Sequence, residues 1–249
     1  MKQVSLIEIS SAKQFTNCDS EHVSLSSVNP IVCECNDASL NMIRERAVEE
    51  KHVLEAISGA CEDFEEGAVG GGRGMTCHGL KGGIGSSSRV LEFDGRQYTI
   101  GILAQTNYGS MKDLTVGGKN IGRDIEKQIE ESAPDKGSCI VIFATDLPLS
   151  DRQIRRVLHR CPVGMARAGN RVSHGSGEVF IGFSTANRQL STEKNDIRTI
   201  EELRESALNT VFRAVGDCTE EAILNSMTAA ETVKGYSGKI RYSLCDFLK

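Results

Sequence analysis

The chain has 249 residues, 39% hydrophobic and only 5% aromatic, with no tryptophan. That length suits one large domain or two small ones with a sizeable core. A net charge of -5 argues against a nucleic-acid surface, and no apolar run approaches the ~20 residues of a membrane span. Nine cysteines are spread along the chain. Only Cys33 and Cys35 stand close, and this CxC lacks the second Cys or His pair of a zinc site, so free thiols in a reducing compartment are expected. The opening stretch Met1–Ile9 carries Glu8 inside its short apolar segment and is a poor signal peptide. A cytoplasmic protein is expected.

In chain order, Val4 to Ile9 alternates like a strand, and Ser10 to Val28 is polar, Ser-rich and aperiodic, as in a loop. Pro30 to Cys35 reads as a short strand ended by Asn36-Asp37, and Ser39 can cap a helical stretch. A clearer helix runs from about Glu49 to Cys61, with Val53, Leu54, Ile57 and Ala60 at helical spacing. The glycine-dense segment Gly67 to Gly85 matches neither the Walker nor the dinucleotide-binding template, and no helix follows it to hold an anion. Backbone at positive φ and in close approach to another element is expected instead.

Ser88–Phe93 and Gln97–Gln105 read as strands joined at Asp94-Gly95, a strong hairpin signal. A further strand is expected over Asp113–Val116, with a turn at Gly117-Gly118. Arg123–Glu131 reads as loop or weak helix, and Ser132–Gly137 as an exposed loop. Ser138 to Asp146 is an apolar run rich in β-branched residues, a buried strand. A helix capped by Ser150 or Asp151 should reach about Ala168, kinked or split at Pro162. Val179–Ser184 is a strand, Thr199–Val215 and Thr219–Val233 are two helices, and Ile240–Leu244 can form a last strand. Strands followed by helices suggest helix layers on sheet.

Four polar groups stand at strand ends. If the Gly137–Ser138 bond is cut, Ser138 carries a hydroxyl nucleophile and a free α-amine on one residue. That amine titrates near ~7.7–8.0 and could take the hydroxyl proton; the alternative is an ordinary Gly-Ser turn before a strand. Asn107 ends an apolar strand, where its amide could donate to a developing oxyanion or serve as a turn residue. Ser176 and Glu178 are two apart, so in extended chain they share a side, where a carboxylate beside a hydroxyl can relay a proton. Gly175-Ser176-Gly177 is not a hydrolase elbow, because His174 stands where that motif starts its G-x-S-x-G. A triad through His174 lacks an obvious acid, and metal ligation by Cys77 and His78 has little support.

Together these segments resemble the self-processing serine aminopeptidases, a family that includes the L-aminopeptidase/D-amino-acid amidase-esterase and the β-peptidyl aminopeptidases. The matching stretches are Glu34-Cys35-Asn36-Asp37 through Arg44, Glu66 through Met75 with Cys77-His78, Lys81 through Arg89, Gln105 through Gly109, Gly137-Ser138 before the strand ending at Asp146-Leu147-Pro148-Leu149, Gly175 through Glu178, and Ala229 through Thr232. They fall in the family's order over roughly residues 30–240. The resemblance implies an α/β (α+β) fold, an αββα sandwich similar to N-terminal nucleophile hydrolases, with residues 30–249 as one domain after an unmatched segment 1–29. It implies cleavage between Gly137 and Ser138, with Ser138 as nucleophile, its new amine as base, Asn107 on the oxyanion, and Ser176 and Glu178 assisting proton transfer. Substrates would be small peptides, amides or esters with a free amino group; no cofactor or metal, nucleic acid or membrane is implied, and a homo-oligomer is. Familiar members carry a longer N-terminal part that supplies sheet strands, a tyrosine near the oxyanion and contacts to the substrate amine. The first expectation is therefore a self-cleaving serine aminopeptidase or amidase, and the alternative a truncated, catalytically impaired remnant of this fold that acts only in binding or assembly.

Overall fold

The computed structural model describes residues 31–131, 137–189 and 193–248. The helix α1 (Glu50–Ser58) opens at a reciprocal cap between Glu49 and His52. The glycine-rich stretch then folds back through β1 (Thr76–Cys77) and β2 (Leu80–Lys81) into the long hairpin of β3 (Ile84–Phe93) and β4 (Arg96–Asn107). Its turn has Asp94 and Gly95 both at positive φ, the two-residue geometry whose twist suits a hairpin. A small hairpin, β5 (Thr115–Val116) and β6 (Lys119–Asn120), turns at Gly117-Gly118, and α2 (Gly122–Ile129) follows.

The apolar run forms β7 (Gly137–Thr145), followed by α3 (Asp151–Leu158) and α4 (Cys161–Arg167). The expected helix is split at Pro162, which sits in the first turn of α4, where its missing N–H costs nothing. β8 (Ser176–Ser184), the long α5 (Leu208–Thr228), and the short pair β9 (Val233–Lys234) and β10 (Ile240–Arg241) complete the order.

One four-stranded sheet positions everything else, in the order β3-β4-β7-β8. The first three strands are antiparallel, and β8 joins β7 in parallel after crossing over through α3 and α4. Strand alternation gives the sheet two unlike faces. Ile100, Ile102, Ala104, Cys139, Val141 and Phe143 point to one face and are buried in the main core with Val211, Val215, Ala222 and Ile223 of α5. Gly85 and Gly182 lie on that face without side chains. A Cβ at Gly85 would run into the α5 backbone at Ala222, and one at Gly182 would stand 2.8 Å from Ile154 of α3. The other face is far more open: Val90 is 62% exposed, Val179 44% and Phe183 48%. The described residues thus supply one four-stranded sheet with a helix layer on one face, beside three two-stranded pairs.

Three expectations are corrected. Residues 31–35 carry no strand; Ile31 is 75% exposed, and no described strand pairs with the segment. The stretch after Ser39 is a turn and a single 3-10 turn at Ile43–Glu45 rather than an α-helix. The two helices expected over Thr199–Val215 and Thr219–Val233 are one, α5, and the chain before Glu205 is not helical. α5 runs on through Gly216, and α4 crosses it there: a Cβ on Gly164 would meet the Gly216 carbonyl and stand 2.6 Å from the Glu220 nitrogen. The missing side chain of Gly164 serves this helix packing. The strand expected over Val4–Ile9 and the loop Ser132–Lys136 lie outside the described residues.

Lys81 is fully buried. Its ammonium donates to the carbonyls of Gly72, Met75 and Gly82 at 2.8, 2.9 and 2.6 Å, and desolvation pushes it down to about 8. It therefore ties the glycine-rich loop together from inside. Lys81→Met removes the donor from three buried carbonyls, at roughly 1–3 kcal/mol each. An expected loss of at least about 3 kcal/mol would appear as a lower urea midpoint at unchanged slope.

Candidate active site

Ser138 is the second residue of β7. Its neighbours are Asn107 on β4 and Gly177 on β8. Directly opposed residues share a face, so the Ser138 and Asn107 side chains stand together on the open side of the sheet. Gly177 leaves the other flank clear; a Cβ built there would lie 4.0 Å from the Ser138 Cβ. Before the serine, Gly137 holds φ +138. A Cβ at Gly137 would run into the Asn107 carbonyl oxygen, so glycine alone fits the position preceding Ser138.

Asn107 is buried and held at both ends of its amide. Its Oδ1 accepts from the Thr76 backbone N–H at 2.9 Å, and its Nδ2 donates to the Asn36 carbonyl at 2.9 Å. A primary amide carries two N–H groups, so one remains for a further acceptor. Cys35 is buried against Met75 and Ile140. Desolvation raises its thiol, and side-chain hydrogen bonds with Ser138 and Gln105 partly offset this. A neutral thiol therefore sits beside the serine hydroxyl.

Ser176 and Glu178 lie on β8, and the Ser176 hydroxyl donates to Glu178 Oε1 at 2.5 Å. Asn170 Nδ2 donates to the same oxygen at 3.2 Å. By register Glu178 opposes Cys139, so this pair lies on the helix-facing side while the Ser138 hydroxyl lies on the other. The Ser138 backbone nitrogen lies in the plane of the sheet, between these two faces. Burial first, and then neighbouring Cys77, other thiols and Glu178, push the Tyr108 hydroxyl and the Cys139 thiol well above their ordinary values. Both are neutral.

Tyr108 follows Asn107 but points into the core, edge-on to His78 at 5.2 Å between ring centres. His78 Nδ1 lies 2.9 Å from the Ser110 carbonyl. His174 is exposed in the loop before β8. Burial pushes the Cys77 thiol up to about 12 and the Cys161 thiol up to about 11, and all eight cysteines among the described residues are free. Among the described residues no cluster of three or more His, Cys, Asp or Glu could hold a metal ion, and no helix is long and apolar enough to cross a membrane.

Sequence reasoning missed Cys35 and Asn170 as neighbours of this site. Cys35 carried a signal, since it lies in a matched stretch. Asn170 carried none beyond its place after Gly169, where an asparagine reads as an ordinary helix end.

Residues 6–241 match the family described as Peptidase family S58. The chain is 39% identical over 224 residues to a β-peptidyl aminopeptidase BapA of Sphingosinicella microcystinivorans, covering 84% of this chain and 57% of that protein. It is 34% identical over 238 residues to the BapA of Sphingosinicella xenopeptidilytica, covering 90% of this chain and 59% of that one. The chain thus spans less than two thirds of the length of these relatives. Among solved structures, the PH0078 protein of Pyrococcus horikoshii superposes with a TM-score of 0.86 at 43% identity, covering 97% of this chain and 67% of that one. The L-aminopeptidase D-Ala-esterase/amidase of Ochrobactrum anthropi, described as a variant of the N-terminal nucleophile hydrolase fold, superposes with a TM-score of 0.85 at 33% identity, covering 97% and 68%. The fold here is of that mixed α/β type.

Proposed function

This chain belongs to peptidase family S58, and we propose that it is a serine aminopeptidase or amidase that cuts its own Gly137–Ser138 bond and then uses Ser138 as an N-terminal nucleophile. The observation that carries this reading is the side-by-side placement of Ser138 and Asn107 across β4 and β7, behind a glycine that no other residue can replace. In the first step Ser138 Oγ attacks the Gly137 carbonyl carbon. The peptide C–N bond breaks, its nitrogen leaves as the Ser138 amine, and an ester forms. Water then hydrolyses the ester to a Gly137 carboxylate and a free hydroxyl.

In turnover the same hydroxyl attacks the first carbonyl of a small peptide, amide or ester with a free amino group. The Ser138 amine takes the hydroxyl proton and returns it to the leaving group, and water releases the acyl group. The spare N–H of Asn107 stabilises the oxyanion of both steps. Ser176 and Glu178 hold the amine from the opposite side of the sheet. Eight free thiols support a reducing compartment, the cytoplasm.

Intact-mass measurement with N-terminal sequencing tests the reading. Two associated pieces are expected, residues 1–137 and 138–249, the second beginning Ser138-Cys139-Ile140. A purified chain that stays at 27.0 kDa and leaves free-amine anilides intact would sink it. Asn107→Ala is expected to lower kcat on such an anilide about 10²–10³-fold, the usual worth of an oxyanion donor. It would also strand the Thr76 N–H and the Asn36 carbonyl, so a lower thermal midpoint should accompany it.

A further inference from the structure

We infer that Asn170 is a positioning residue for this reaction: its side-chain amide holds Glu178 in the orientation that the Ser138 amine needs. The inference rests on the proposed function. Asn170 is buried and follows Gly169 at φ +105 just past α4. Its backbone N–H donates to the Met165 carbonyl at 2.9 Å. Its Oδ1 accepts from the Val172 N–H at 2.7 Å, which closes the loop entering β8. That loop is strained: Val172 holds φ +50, a region β-branched residues avoid, and such strain gathers at functional sites.

Closing the loop uses only Oδ1. The other end of the amide points at Glu178, which no feature of the loop requires. Glu178 Oε1 thus receives two donors, Asn170 Nδ2 at 3.2 Å and Ser176 Oγ at 2.5 Å. Its second oxygen makes no side-chain hydrogen bond among the described residues. Tyr108 and Cys139 beside it are kept neutral by burial. Asn170 therefore pins one oxygen and leaves the other for the amine one strand away.

Asn170→Asp separates the two ends of the amide. It keeps an acceptor for the Val172 N–H and replaces the donor to Glu178 with a second carboxyl. We expect kcat on a free-amine anilide to fall about 10- to 100-fold near pH 8, the worth of one hydrogen bond to a charged group, with KM within about twofold. The ratio of variant to parent should climb as pH falls, because two close carboxyls share a proton and so regain a donor. A variant with parental kcat at every pH overturns the inference. So does a loss that is constant with pH and tracks a lowered thermal midpoint, which would mark Asn170 as loop architecture only; Asn170→Ala, which loses both ends, supplies that reference behaviour. A parent chain that neither cuts itself nor turns over the anilide would overturn the proposed function itself, and this inference with it.

Discussion

Ser138→Ala is expected to give a single chain of 27.0 kDa where the parent is expected to give two, and to abolish turnover. The substitution removes one oxygen from a half-buried side chain whose neighbours are Asn107, Gly177 and the Cys35 thiol. Nothing in the core depends on that oxygen, so stability should change by less than about 1 kcal/mol, as for surface-like changes. The chemistry should lose everything, because in the proposed mechanism the hydroxyl is the attacking group in both self-cleavage and turnover. Removing the nucleophile of a serine hydrolase costs on the order of 10⁶ in kcat. Mass spectrometry reads the first effect and anilide hydrolysis the second. Cleavage retained at the same bond would show that another group attacks, and the assignment of Ser138 would be lost.

Gly137→Ala should be almost as damaging, for a different reason. Here φ is +138, where a side chain costs about 1–3 kcal/mol in backbone strain alone. The added methyl would also run into the Asn107 carbonyl, with the Tyr108 Cα 3.0 Å away. Because the obstacle is backbone, the end of β7 must move away from β4. That movement pulls Ser138 from Asn107, and a misplacement near 1 Å costs about 10²-fold in rate. The expected outcome is a chain that is largely uncut after hours and that melts below the parent. Parental cleavage kinetics in this variant would show that the register at the start of β7 is not what aligns the serine. Gly177→Ala offers a contrast, since its Cβ would stand 4.0 Å from the Ser138 Cβ, an ordinary contact.

What the sequence made legible was local. The Asp94-Gly95 turn, the β7 run and the break at Pro162 each carry their cause within a few residues. The glycine-rich segment was readable as close-packed backbone, although its partner was not: Gly67 and Gly83 lie against one another, and the Ala229–Ala230 backbone approaches Gly67. The misread features depended on partners distant in sequence. The single helix α5 read as two, because its packing on α4 at Gly164 joins segments far apart in the chain. Residues 31–35 looked like a strand because they are apolar, yet pairing is a property of two segments. The spacing of Ser176 and Glu178 put them on one side of a strand, but only the β7–β8 register shows that this is not the side of the Ser138 hydroxyl. Asn170 was invisible for another reason, since the strained loop at Val172 that turns it toward Glu178 leaves no mark in the sequence.

The interleaving of the sheet bears on the molecularity of folding. β3 and β4 precede position 137 and β7 and β8 follow it, while α5, from the later part, covers β3 and β4. Neither part can bury its own apolar face without the other. A cut at Gly137–Ser138 therefore turns one cooperative chain into an obligate heterodimer whose seam runs through the β4–β7 ladder and the α5 contact. Unfolding of the cut protein would remain first order, but its refolding would become second order, with a yield that rises with concentration. The uncut Ser138→Ala chain would refold at a rate independent of concentration.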